Sequence, residues 1–290
     1  MKTINPKDIS TVELQGYLQG AIGPRPIALA STVDADNRPN LSPFSFFNLF
    51  SANPPIVVFS PSRRIRDNSA KHTLFNVQAT RQVVINIVNY EMVQQTSLSS
   101  TEYKDGVNEF VKSGLTMLPS DEVRPYRVKE SPVQLECVVL EVIGLGDQGG
   151  AGNLVVCEVV KMHINEDILD ADNKIDQHKI DLVARMGGNW YTRANMGMFE
   201  VEKPLTTLGV GVDALPSEVL ESNLFTGNEL GILGNIEVLP SQEEIDVYIS
   251  ENIEVLEVIK NGNLKDKIDI AKKHLEENNV PLAWKVILAK

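Results

Sequence analysis

No stretch of eighteen apolar residues occurs in this 290-residue chain, so nothing in it reads as a transmembrane helix. The opening residues, MKTINPKDISTVEL, lack the apolar centre of a secretory signal. Cysteine is nearly absent. Cys137 and Cys157 lie among apolar neighbours in LECVVLEVI and LVVCEVV, which favours two buried free thiols over a disulfide or a metal pair. These absences make the cytoplasm the expected address. Positive charge is also short: the formal net charge is −12, which argues against nucleic acid as a partner, because such a partner needs a basic face. A bound phosphate is not excluded, since it needs only local donors. His72, His163, His178 and His274 are scattered, with no metal-ligand spacing to the cysteines. There is no G-x-S-x-G elbow and no recognisable acid/base carboxylate couple.

What is present reads as a β protein up to about residue 191. PIALASTV (26–33), NLSPFSFFN (40–48), PIVVFS (55–60), QVVINIV (82–88), VQLECVVLEVI (133–143) and NLVVCEVVKMHI (153–164) are runs rich in Val, Ile and Phe. Gly, Pro, Asn and Asp bound them. Residues 67–79 have apolar side chains at helical spacing, and 90–100 suggests a second short helix. Strands with few helices between them predict a closed or half-closed antiparallel barrel rather than a doubly wound parallel sheet.

Beyond residue 200 the pattern turns helical and acidic. Residues 200–290 hold seventeen Asp/Glu against eight Lys/Arg, a charge of −9 that leaves −3 for residues 1–199. Ser241 to Glu244 is a capping-box pattern. Ile245, Tyr248, Ile249, Ile253, Leu256 and Ile259 then form one stripe ended by Gly262. A second helix is expected over 266–277 and a short one around Trp284. The expected organisation is a β domain over 1–199 and a helical extension over 200–290. The extension either packs on the barrel or a sister subunit, or serves as a regulatory module.

The most informative stretch is 60–73, with Arg81 shortly beyond it. Arg63, Arg64, Arg66, Lys71 and Arg81 place five cations in nineteen residues, with Asp67 the one acid among them. Ser60, Ser62, Ser69 and Thr73 add hydroxyls. A phosphate monoester wants such donors near a helix start; the alternative is a solvated basic loop. The preceding SPFSFFN (42–48) mixes hydroxyls and an amide with aromatic rings, the mixture that reads a flat, polar-edged heterocycle. Phe44, Phe46, Phe47 and Phe50 are equally readable as core. Gly144-Leu-Gly146-Asp-Gln-Gly149 matches the dinucleotide fingerprint formally. A second strand follows it where a helix is required, so it reads as a hairpin loop.

On RPIALASTVDADNRPNLSPFSFFNLFSANPPIVVFSPS, KHTLFN, VVINIV, SLSSTEYKDGVNEF, ESPVQLEC, GGAGNLVVCEVVKMHI and ARMGGNWYTR, the chain resembles the flavin-reductase-like proteins. That group includes the flavoredoxins and the reductase components of two-component monooxygenases. The resemblance implies a mainly β fold: an FMN-binding split β-barrel, antiparallel and Greek-key-like, with a few short helices and the helical C-terminal extension. It implies a homodimer binding FMN, with FAD possible, and NAD(P)H as transient hydride donor. Ser42, Ser45, Phe46 and Asn48 are implied along the flavin and ribityl chain. Ser60, Ser62, Arg63, Lys71 and Thr73 are implied around the phosphate, with Thr32 on the adjoining strand. Gly188, Trp190 and Tyr191 are implied near the ring. Many relatives have Lys-Asp-Thr where this chain has Lys71-His72-Thr73, which leaves the role of His72 open. Hydride transfer needs no protein acid or base, so no catalytic residue is implied. The electron acceptor would be another protein or a monooxygenase partner. The alternatives are a flavoredoxin-like carrier that does not oxidise NAD(P)H, and a scaffold whose tail recruits a partner.

Overall fold

The β-branched runs become strands in a computed structural model that describes residues 1–201 and 203–290. Two compact units are present, Met1–Phe199 and Glu200–Lys290. The first contains, in chain order, α1 (Thr11–Ala21), β1 (Ala28–Val33), β2 (Pro39–Phe44), β3 (Phe47–Ala52), β4 (Pro55–Phe59), α2 (His72–Thr80) and β5 (Gln82–Ile87). There follow α3 (Val93–Leu98), α4 (Glu109–Ser113), β6 (Met117–Leu118), β7 (Arg127–Val128), β8 (Val133–Gly144) and β9 (Asn153–Ile164). The unit ends with α5 (Gln177–Ile180), β10 (Val183–Arg185) and β11 (Tyr191–Arg193).

Seven strands form one antiparallel sheet in the order β2-β1-β5-β8-β9-β4-β3. The pairing does not close, which excludes the closed form of the expected barrel and leaves the half-closed one. Its two edges, β2 and β3, are nevertheless consecutive in sequence, joined only by Ser45 and Phe46. A two-residue link spans at most about 10 Å, so the sheet must curl until its edges meet at that end. The run 40–48 is therefore two strands, not one. No Gly or Asn marks the break, which is why it reads as continuous. The curl pivots on the long β8–β9 hairpin. Strand β5 pairs with Gln134–Val138 of β8, whereas β4 pairs with Val155–Glu158 of β9, further along.

The concave face is filled by Ala28, Ala30, Phe44, Phe59, Val83 and Ile85 together with both cysteines. Phe44 and Phe59 meet at a centroid distance of 5.3 Å. Ile27, Leu29, Leu41 and Val88 face the other way, under Met92, Phe110 and Val128. Strand β1 is consequently buried along its whole length, which explains why PIALASTV shows no polar alternation.

The second unit holds α6 (Ser217–Glu221), α7 (Gly227–Gly234), α8 (Gln242–Glu251), α9 (Ile253–Asn261), α10 (Leu264–Glu276) and α11 (Val280–Leu288). Its core centres on the fully buried Trp284, whose Nε1 donates to the Leu233 carbonyl at 2.9 Å. The capping box at Ser241 and Glu244 is formed. The long apolar stripe is broken, however: Asn252 donates its amide to the Tyr248 carbonyl and leaves helical geometry, so α8 and α9 are separate. Among the described residues, no helix is long and apolar enough to cross a membrane.

Candidate functional site

Strand pairing sets Thr32 opposite Asn40 and Ala30 opposite Ser42. Asn40 and Ser42 thus share one face of β2. Helix α2 packs against these strands, and a network of three side-chain hydrogen bonds ties it there. The Asn40 amide donates to Thr32 Oγ1 at 3.2 Å and to Thr73 Oγ1 at 3.0 Å, and the Asn76 amide donates to Thr32 Oγ1 at 3.1 Å. All four residues are buried. Thr32 is therefore a brace for the first turn of α2. The Thr73 oxygen accepts, leaving its O–H to donate elsewhere.

Lys71 is the N-cap of α2 and offers no side-chain cap, so the first-turn N–H groups lack a side-chain acceptor. Its ammonium instead donates to Ser42 Oγ at 2.9 Å and lies 5.1 Å from the centre of the Phe44 ring. Burial lowers its pKa to about 8, with Arg64 adding to the effect and Glu102 and Glu109 opposing it. A small open cleft lies over these groups, with Arg64, Lys71, Ser42, Thr73, Glu102 and Glu109 in its walls. Two cations, two hydroxyl donors and a helix start converge here, the donor set of an anion site.

Two carboxylates temper it. Buried Glu109 accepts from the Leu41 N–H at 3.1 Å, and burial raises its pKa. Glu102 pairs with Arg64 Nε and Arg66 Nη2, both at 2.8 Å. The acid competes with any incoming anion for the Arg64 guanidinium. Glu102→Gln is therefore expected to tighten binding of inorganic phosphate by about threefold, read by calorimetric titration; weaker binding would make Glu102 a support rather than a competitor.

The neighbouring loop is held from behind. Arg63 accepts at its carbonyl from Gly150 N–H at 2.9 Å, donates its own N–H to the Ala151 carbonyl at 2.8 Å, and spends its guanidinium on Asn68. Ser60 Oγ accepts from the Asn153 N–H at 3.1 Å. The glycine run that mimics a dinucleotide fingerprint is the turn region of the β8–β9 hairpin, and it packs on this loop. A Cβ at Gly149 would lie 2.9 Å from the Arg64 carbonyl and Ile65 Cα, and Gly150 has φ +94. These glycines allow backbone to approach backbone.

The structure thus brings Thr32, Ser42, Lys71 and Thr73 together. Arg63 and Ser60 hold the loop, and Ser62 is half-buried beside them. Ser45, Phe46 and Asn48 lie on the link and edge strand between β2 and β3. There Asn48 is exposed and its Oδ1 accepts from the Leu49 N–H at 2.8 Å. Gly188, Trp190 and Tyr191 belong to the β10–β11 hairpin. Gly188 turns it at φ +56, Tyr191 lies under the Arg185 guanidinium at 4.5 Å, and Trp190 is 77 % exposed. Buried Arg25 ties this hairpin to α1 by donating to the carbonyls of Met186, Gln19 and Ile22. Asn40, Asn76, Glu102 and Glu109 are the site residues that sequence reasoning did not single out, and Arg64, read as part of the cationic stretch, faces the cleft where Arg63 was expected. For Asn40 a signal existed, its position two before Ser42 on the same strand face.

Residues 22–179 match the flavin reductase like domain. The chain belongs to that family. Over 203 residues it is 32% identical to an uncharacterized protein of Halalkalibacterium halodurans, covering 69% of this chain and 96% of the relative. Among solved structures it is similar to nitrilotriacetate monooxygenase component B from Bacillus cereus, at 27% identity and a TM-score of 0.65, covering 69% of this chain and 98% of that one. It shares its fold with the flavoredoxin of Desulfovibrio vulgaris, at 22% identity and a TM-score of 0.54, covering 64% of this chain and 93% of that one. The shared portion is consistent with the first unit, where the anion cleft lies.

Proposed function

We propose that the first unit binds FMN with its phosphate over Lys71, Arg64 and Thr73, and that the protein reduces it with NAD(P)H. The observation that carries this reading is the convergence of those side chains with Ser42 at the start of α2. Flavin, when bound, supplies the hydride and electron chemistry. The chain's own residues bind and orient. Lys71 and Arg64 neutralise the phosphate, and the hydroxyls of Ser42 and Thr73 donate to it. The segment from Ser42 through Ser45 and Phe46 to Asn48 runs along the ribityl chain and ring, with polar edges and aromatic faces. Ser60, Ser62 and Arg63 keep the phosphate loop in shape, and the hairpin of Gly188, Trp190 and Tyr191 offers rings to cover the site.

A homodimer fits the same unit. Edge strand β3 exposes Leu49 and Phe50, at 64 % and 67 %, along a free strand edge, a surface that a soluble chain normally covers. The likeness to nitrilotriacetate monooxygenase component B supports a monooxygenase as recipient of the reduced flavin.

Purified protein is expected to be yellow after gel filtration and to bleach when NADH or NADPH is added anaerobically. Bleaching by dithionite alone would replace the reductase with a flavoredoxin-like carrier. Colourless protein that takes up no FMN would leave a scaffold.

A further inference from the structure

A groove opens between α8 and α11 of the second unit. Val247, Tyr248 and Leu282 form its floor, and Glu243, Glu251 and Lys285 stand at its rim. Helix α8 packs inward through Ile245 and Tyr248, which are buried. Val247 precedes Tyr248, hence lies about 100° round the helix, and is 50 % exposed. Valine is a weaker helix former than Gln, Glu or Lys, so at this exposed position it does nothing for the helix itself. Glu243 and Glu251 lie four residues to either side of it, on the same helix face. That face reads acid, valine, acid, with the carboxylates about 12 Å apart along the axis.

The rim charges are unspent. Among the described residues, neither Glu243 nor Glu251 has a cation within ion-pair distance. Three cations of the unit are engaged elsewhere. Lys272 pairs with Glu229 at 3.3 Å and Lys273 with Glu254 at 3.1 Å, while Lys267 donates to the Ala289 carbonyl at 2.6 Å. Lys285 is the one cation lining the groove, and its ammonium lies 5.9 Å from the centre of the Tyr248 ring. The surrounding field has the same sign as the rim, since residues 200–290 carry seventeen Asp/Glu against eight Lys/Arg. A second copy of the chain would bring further acid to this face, as would an acidic peptide. A cationic partner is the one that gains.

We propose that the groove between α8 and α11 docks the apolar stripe of a basic amphipathic helix from a partner protein. The stripe lies over Val247, Tyr248 and Leu282, and Lys or Arg side chains seven or eight residues apart on its flank meet Glu243 and Glu251. Recognition of a helix by a groove has this form, with apolar anchors for affinity and rim charges for choice of partner. The groove lies wholly in the second unit, and its occupant does not depend on flavin.

The test follows the fluorescence anisotropy of a labelled peptide of about eighteen residues, with a Leu stripe at helical spacing and Lys on both flanks, as full-length protein is added. Wild type is expected to bind it at least about tenfold more tightly than a scrambled peptide of the same composition. Val247→Gln is expected to weaken binding about tenfold. Glu243→Gln with Glu251→Gln is expected to weaken it about fivefold and to flatten its salt dependence. Lys285→Gln removes the one repelling charge and is expected to tighten it about twofold. The exposed acids Glu257 and Glu276 lie outside the groove, and changing both to Gln is expected to leave affinity unchanged. Val247, Glu243 and Glu251 are exposed, so these variants should fold, which circular dichroism checks. Equal binding of the scrambled peptide, unchanged affinity in Val247→Gln, or an equal loss in the Glu257 and Glu276 variant overturns the proposal, since each leaves a merely charged surface. Self-association of the protein that Val247→Gln abolishes would give the groove to a second copy and overturn it too.

Discussion

Replacing Lys71 with methionine is expected to weaken FMN binding by about 100-fold, or ~2.7 kcal/mol, while leaving riboflavin binding nearly unchanged. Riboflavin lacks the phosphate, so the contrast isolates the charge from the ring. The ammonium is half-buried, contacts Ser42 and the Phe44 ring, and has no carboxylate within ion-pair distance among the described residues. Its charge is therefore costly in the free protein, which is why its pKa falls to about 8 from 10.5. Two consequences follow with opposite signs. For binding, the charged form is needed, so wild-type FMN affinity should fall as the pH rises through 8, and the methionine variant should lose that fall. For stability, the unfolded chain binds more protons than the folded one between pH 8 and 10.5. Stability contributed by Lys71 therefore rises across that window, and its cost is felt in full below it. Lys71→Met is thus expected to raise Tm at pH 7 while abolishing tight FMN binding. A variant that lost both would have been damaged rather than discharged, and the phosphate role of Lys71 would fail. Fluorescence quenching across pH and a thermal melt read both quantities.

The parts of this site that were legible in sequence are those lying close together along the chain. Lys71 and Thr73 stand in one cationic stretch, and Ser42 lies on a strand recognisable by its rings. Arg63 and Arg64 are adjacent and identical in type, so nothing local tells which faces the cleft. The choice is made by the β8–β9 hairpin, more than eighty residues on. Its Gly150 and Ala151 grip the Arg63 backbone, after which Arg63 turns to Asn68 and Arg64 to Glu102. Glu109 reaches the cleft only because it accepts from the Leu41 N–H, a pairing across sixty-eight residues that no periodicity shows.

The fold divides in the same way. Strands β1, β4, β5, β8 and β9 announce themselves through β-branched runs between turn residues. The split between β2 and β3 does not, because curling a sheet needs no turn residue when the link is Ser45-Phe46. Helix α1 carries Leu14, Tyr17, Leu18 and Ala21 at helical spacing, but none of its residues is buried. Helices α8 and α9 share one stripe, and the break at Asn252 is a side-chain cap rather than a change of pattern.

A buried carboxylate outside the anion cleft carries the largest expected effect on stability. Glu136 is fully buried on β8 and accepts the N–H groups of Asp121 at 2.9 Å, Glu122 at 2.6 Å and Val123 at 3.2 Å. His163 Nε2 stands 2.6 Å from the same carboxylate. Burial pushes the Glu136 pKa up, but the Asp121 and Glu122 N–H groups, His163 and Val123 together outweigh it and hold it below 4.5. With the folded value depressed, its stabilisation is present above the unfolded value and is lost as the pH falls through the folded one. Glu136→Ala is expected to cost about 3 kcal/mol at pH 7, since Val123 N–H is left buried without an acceptor while the exposed Asp121 and Glu122 turn to water. The loss should appear first as faster hydrogen exchange at the Val123 amide, and the gap to wild type should shrink in acid. The ligand atoms of Asp121, Glu136 and His163 lie within 4.8 Å of one another, which also resembles a cation site. The Glu136 oxygens already accept four donors, and Asp121 is paired with Lys161 at 2.9 Å, so a metal would have to displace bonds that hold the loop. Zinc at micromolar concentration is accordingly expected to leave wild-type unfolding unshifted. A zinc-dependent rise in stability that vanishes in Glu136→Ala would turn this brace into a metal centre.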